Sequence, residues 1–130
     1  MTTRLEVNST SKHDGYIQFN CNSDELNRDI ELHPSEQVLV DSDTLAFIYI
    51  LDTPNDFVYV SFPKEHWGEL KDAINQSKET RLHLTNHPDL SLEGLKPELE
   101  YLIENIKGNA NYGNEMMKSV ESVFLSEEVN

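Results

Sequence analysis

The sequence predicts an α+β fold: an antiparallel sheet of about five or six strands, mostly N-terminal, with about three helices, mostly C-terminal, packed on one face. Three observations predict it. The first half consists of short alternating or continuously apolar runs, rich in β-branched and aromatic residues and separated by turn-forming clusters. The second half holds three stretches with apolar residues at helical spacing. Strands precede helices rather than alternating with them, and the connections are of hairpin length.

In chain order, "RLEV" (4–7) and "YIQFN" (16–20) are short alternating strands around the polar turn "NSTSKHDG". "DELNRDIELHPSE" (24–36) is polar, a loop or weak strand broken by Pro34. "QVLV" (37–40) stops at Asp41-Ser42-Asp43, a cluster of turn formers. "LAFIYIL" (45–51) and "FVYVSF" (57–62) form a hairpin through Pro54 and Asn55, and both runs are apolar on both faces. Pro63 opens a first helix, in which Trp67, Leu70, Ala73 and Ile74 share one side. "TRLHL" (80–84) returns as a strand, and "NHPDLSLEG" (86–94) is a loop with room for a short extended piece. Leu95, Leu99, Leu102, Ile103 and Ile106 form the apolar stripe of a second helix, with Pro97 near its start and Gly108 past its end. Met116, Val120, Val123 and Phe124 mark a third, and residues 126–130 are expected to fray.

A chain of 130 residues fits one domain, 1–130, and can bury roughly two-thirds of its unfolded surface without staples. The net charge of −14 is spread evenly: 12 acids and 4 bases in residues 1–65, 12 and 6 in residues 66–130. Nucleic acid and anionic membranes are bound by clustered Lys and Arg, so neither is an expected partner. Cys21 is the single cysteine and has no disulfide partner within the chain. "MTTRLEVNSTSKHDG" lacks the apolar core of a signal peptide, and Leu45–Leu51 is too short to span a bilayer. These features predict a cytoplasmic setting.

"IKGNANYG" (106–113) places two glycines five positions apart, as a phosphate-binding loop does. Such a loop follows a strand and ends in Lys and Ser or Thr; here a helix precedes it, and the two positions are Asn114 and Glu115. The spacing therefore predicts punctuation. Gly108 closes the second helix, Asn109, Asn111 and Gly113 turn the chain, Asn114 caps the third helix and Tyr112 packs over the junction.

"QVLVDSDTLAFIYILD", "FVYVSFPKEHW" and "ELEYLIENIKGNANYGNEMMKSVESVF" together resemble UPF0738, a small uncharacterised protein family of low-GC Gram-positive bacteria. The likeness covers residues 37–124, with Leu-Val-Asp-Ser-Asp and Asn-Ile-Lys-Gly-Asn-x-Asn-Tyr-Gly as its most specific stretches. It implies a compact cytoplasmic protein and carries over no catalytic residue.

Two constellations can bear a function. Asp41, Asp43 and Asp52 would form a hard-oxygen site for a divalent cation if the ends of two strands brought them together; a backbone-bonding turn is the competing reading. The aromatics Phe47, Tyr49, Phe57 and Tyr59 would form a partner surface if helices cover only one face of the sheet. His83 and His87 lie four apart, but on strand and loop rather than on a helix, and His13, His33 and His66 complete no ligand pattern. No G-x-S-x-G elbow is present, and Cys21 lies among acids that hold its thiol protonated. The sequence thus predicts a non-enzymatic interaction or regulatory domain, without cofactor, that binds a protein partner or a second copy of itself. The alternative is a small metal-dependent enzyme or nucleotide binder at the three aspartates.

Overall fold

Residues 3–126 are described by the computed structural model; of the stretch 126–130 expected to fray, residues 127–130 lie outside the described residues. The elements are β1 (Thr3–Lys12), β2 (Tyr16–Cys21), β3 (His33–Asp41), β4 (Ala46–Asp52), β5 (Phe57–Pro63), α1 (Trp67–Asn75), β6 (Glu79–Leu84), β7 (His87–Ser91), α2 (Leu95–Ile106) and α3 (Asn114–Phe124). Single turns of 3₁₀ helix, Lys64–His66 and Ala110–Tyr112, precede α1 and α3.

The sheet has seven strands in the order β3-β4-β5-β1-β2-β6-β7, which corrects the expected five or six. It is also mixed rather than antiparallel. Four pairings are antiparallel, but β1 runs parallel to β5 and β2 parallel to β6. Hairpins make neighbours of consecutive strands, so the antiparallel pairings follow from short turns. The two parallel pairings join strands far apart in sequence, and no local pattern announces them.

β1 is longer than its apolar segment. Thr3–Glu6 pair with β5, a bulge falls between Val7 and Ser9, and Ser9–Lys12 pair with β2. The stretch read as a polar turn is therefore strand as far as Lys12, because its backbone pairs with Ile17–Asn20 whatever its side chains. The turn shrinks to residues 13–15. At the β3–β4 turn, Leu45 sits at φ +55°, so β4 begins at Ala46 rather than at Leu45.

One core lies on a single face of the sheet. Leu5 and Val7, Ile17 and Phe19, Phe47, Tyr49 and Leu51, and Val58, Val60 and Phe62 point into it by strand alternation. Trp67, Leu70 and Ala73 from α1, Leu95, Leu99, Ile103 and Ile106 from α2, and Met116 and Val120 from α3 close it from the other side. Trp67 is fully buried and donates its indole N–H to the Phe62 carbonyl at 2.8 Å, which satisfies its polar atom. Phe124 packs edge-on to Phe47 and beside Trp67, with centroids at 5.9 and 5.6 Å.

Gly108 takes φ +67°, closes α2 and donates its amide to Glu121 on α3 at 2.8 Å. Tyr112 is half-buried against the core. The expected cap is corrected. Gly113, at φ +95°, is the N-cap of α3, and the Asn114 side chain makes no capping bond. The chain reverses at the glycine, so Asn114 is already helical, while Asn109 caps the preceding 3₁₀ turn by accepting from the Asn111 amide. The glycines of "GNANYG" turn the backbone.

Candidate interaction surface

Strand alternation sends every second residue of β3, β4 and β5 to the face opposite the helices. The pairings align Leu39 with Ile48, Ile50 with Tyr59, and Asp52 with Phe57, so these residues share that outer face. None of the apolar residues among them belongs to the core, and the buried apolar side chains of all three helices lie on the other side. Leu39 is 41% exposed and Phe57 48% exposed, while Tyr59 is half-buried. Ile48 and Ile50 are buried between them. The result is a diagonal apolar row across three strands.

The two apolar faces of "LAFIYIL" and "FVYVSF" thus have different fates. The sequence groups Phe47 and Tyr49 with Phe57 and Tyr59 as partner residues, but both are fully buried in the core. Tyr49 spends its hydroxyl on the Glu93 carbonyl ahead of α2, and burial pushes its phenol up to about 12. The correction follows from the period of two: an aromatic at 47 or 49 cannot share a face with Ile48 and Ile50. Phe57 and Tyr59 remain on the surface.

Arg4 crosses the upper part of this face. It stands opposite Tyr59 on β1 and reaches Ser61 and Thr44 at 3.2 Å each and Asp41 at 2.9 Å. Its guanidinium shields Ser61, which is only 1% exposed. Sequence reasoning missed Arg4. The alternation of "RLEV" shows that it points outward, but its reach to Asp41 depends on the β1–β5 pairing.

The three aspartates do not meet. Asp41 pairs with Ala46 at one end of the β3–β4 ladder, and Asp52 pairs with His33 at the other. Six residues of strand separate the two ends, roughly 20 Å. Asp41 instead accepts from the amides of Asp43 and Thr44 at 3.1 and 3.2 Å, the backbone-bonding turn, and pairs with Arg4. Among the described residues, no three His, Cys, Asp or Glu side chains are grouped as metal ligands. His83 binds Asp89 at 2.7 Å, and the His87 ring bonds the Asn27 carbonyl at 3.1 Å. Cys21 is buried in the core, where desolvation first and Glu6 second push its thiol up to about 12.

The outer face of the other half of the sheet has the opposite character. Gln18 bonds Asn20, Arg81 pairs with Glu79 and lies 3.8 Å from the Tyr16 ring centroid, and His13 stacks on that ring at 4.3 Å. This half is polar and satisfied by its own neighbours. The apolar row on β3–β5 is therefore local.

A mixed seven-stranded sheet with three helices defines an α+β protein, and among the described residues no helix is long and apolar enough to cross a membrane. Comparison with known proteins places it more narrowly. UPF0738, a family of unknown function, matches residues 5–124, and the chain belongs to this family. A UPF0738 protein of Bacillus cytotoxicus is 43% identical over 125 residues, 96% of this chain and 100% of the relative. UPF0738 proteins of Bacillus mycoides and Bacillus cereus are each 42% identical over 126 and 125 residues, with the same coverage. The relatives belong to a low-GC Gram-positive genus, as the resemblance implied. No solved structure matches the chain.

Proposed function

We propose that this protein is a non-enzymatic interaction or regulatory domain that docks a protein partner on the outer face of β3–β5. The observation that carries the reading is the apolar row itself. Leu39 and Phe57 stand exposed beside Ile48, Ile50 and Tyr59 on a face that receives none of the helices' buried apolar side chains. Leu39 and Phe57 are the exposed ends of the row, Tyr59 is half-buried, and Ile48 and Ile50 form the buried floor between them; aromatic side chains are common anchors of protein interfaces. In this reading the protein works in the cytoplasm and needs no cofactor.

The test is the double variant Phe57→Ser, Tyr59→Ser. Both side chains lie outside the core, so far-UV circular dichroism and the cooperative melt are expected to persist. Co-purification of the native complex is expected to be lost. A complex recovered undiminished with the folded variant places the contact elsewhere and removes the proposal.

A further inference from the structure

Resting on the docking role just proposed, and naming its partner, we infer that the outer face of β3–β5 receives an amphipathic helix of a basic protein. The apolar stripe of that helix packs on Leu39, Tyr59 and Phe57, above the buried Ile48 and Ile50, and its lysines or arginines face Glu6, Asp43 and Asp52.

The dimensions fit one helix. Leu39 stands level with Ile48, and Phe57 with Asp52, four residues further along β4. Two strand spacings across and four residues along make a diagonal of roughly 16 Å, which is about three turns of α-helix. Three strands are roughly 10 Å wide, about the diameter of a helix.

Charge selects the occupant. Among the strand residues of this half, Arg4 is the one Lys or Arg, and Asp41 already neutralises it. Glu6, on the β1 flank, Asp43, beyond the Leu39 end, and Asp52, at the Phe57 end, hold no ion pair among the described residues. The row is thus apolar along its centre and negative at both ends and one flank, in a molecule of net charge −14. A basic amphipathic helix complements both features, and its approach is accelerated by the field. A second copy does not: a two-fold contact brings like-charged rims together and doubles the net charge.

Strand addition is the other route for a sheet, and both edges resist it. β3 and β7 each open with His-Pro, and β3 is bulged between Pro34 and Val38 with Glu36 at φ +63°. Proline and a bulge break the row of backbone donors that an added strand needs.

The probe is a labelled synthetic helix of about 18 residues, with leucines on one stripe and lysines elsewhere. One control has the same composition with the stripe scrambled, and a second replaces every lysine by glutamate. Backbone amide shifts of the ¹⁵N-labelled protein map the contact, and fluorescence anisotropy measures affinity. The striped lysine helix is expected to move amides of β4 and β5 and to bind about tenfold or more tightly than either control. Asp43→Lys with Asp52→Lys, which leaves the core untouched, is expected to weaken it about tenfold.

Equal binding of the scrambled control overturns the inference, since bulk charge then suffices. Equal binding of the glutamate helix on the same amides overturns the basic partner but leaves the docking face standing. A protein that sediments as a dimer, and as a monomer only with Phe57→Ser, makes a second copy the occupant and overturns it too. If no helix moves these amides and the native complex survives Phe57→Ser, Tyr59→Ser, the inference and the proposed function fall together.

Discussion

Asp41 ends β3 with one carboxylate oxygen accepting from the amides of Asp43 and Thr44 and the other from Arg4. Partial burial by itself raises the carboxyl's pKa, but hydrogen bonds from Thr44 and Arg4 outweigh it and hold the group below its usual range. A carboxyl with a depressed folded-state pKa contributes stability above its unfolded pKa and loses it as pH falls through the folded one. Asp41→Asn is therefore expected to be less stable at neutral pH by about 0.5–1 kcal/mol, a figure kept small because Arg4 is partly solvent-exposed. The deficit should shrink as the pH drops below about 4 and vanish once the native carboxyl is protonated. Denaturant titrations across that range check it, and a deficit independent of pH would show that the turn geometry, not the charge, matters. The same bonds account for Asp41 within its turn without recourse to a cation.

Where β3 meets α2, two elements are held at unusually close range. Gly94 precedes α2 at φ +77°, and a Cβ placed on it would lie 2.6 Å from the Glu36 Cβ and 3.1 Å from its Cα. Glu36 occupies the β3 bulge, itself at positive φ, so neither side has slack to yield. Tyr49 adds a second tie at this corner through its bond to Glu93. Gly94→Ala combines backbone strain with a clash against backbone and is expected to cost about 2 kcal/mol. Gly68→Ala, in α1 with no atom within 4 Å of the new methyl, is expected to gain about 0.5–1 kcal/mol from helix propensity. Paired thermal melts read both. Equal effects from the two substitutions would contradict the contact at Glu36.

Over the whole molecule, a net charge of −14 on 130 residues produces self-repulsion that the few ion pairs do not offset. The pairs described lie at the surface, such as Lys12 with Asp72 and Arg81 with Glu79, where each contributes little. Screening should therefore relieve more repulsion than attraction. Raising sodium chloride from about 10 mM to about 500 mM is expected to raise the melting temperature, because the screening length contracts from about 30 Å to only a few ångströms. A lower melting temperature would mean that ion pairs dominate.

Local chemistry made much of the fold legible. Leu95 to Ile106 carries the period of a helix, and α2 spans those residues. Proline and asparagine turned the β4–β5 hairpin, and Gly108 closed α2 as a residue able to take positive φ does. These features depend on neighbours within a few positions, which is the range over which backbone preference and hydrogen bonding act. Which face of "LAFIYIL" meets the helices, that β1 lies beside β5, and that Arg4 therefore reaches Asp41 while Asp52 ends up across the molecule were not legible there. Both faces of β4 are equally apolar, so hydrophobicity alone cannot choose between them. The choice follows from where three helices and two parallel pairings find their lowest free energy together, a property of contacts between residues many positions apart.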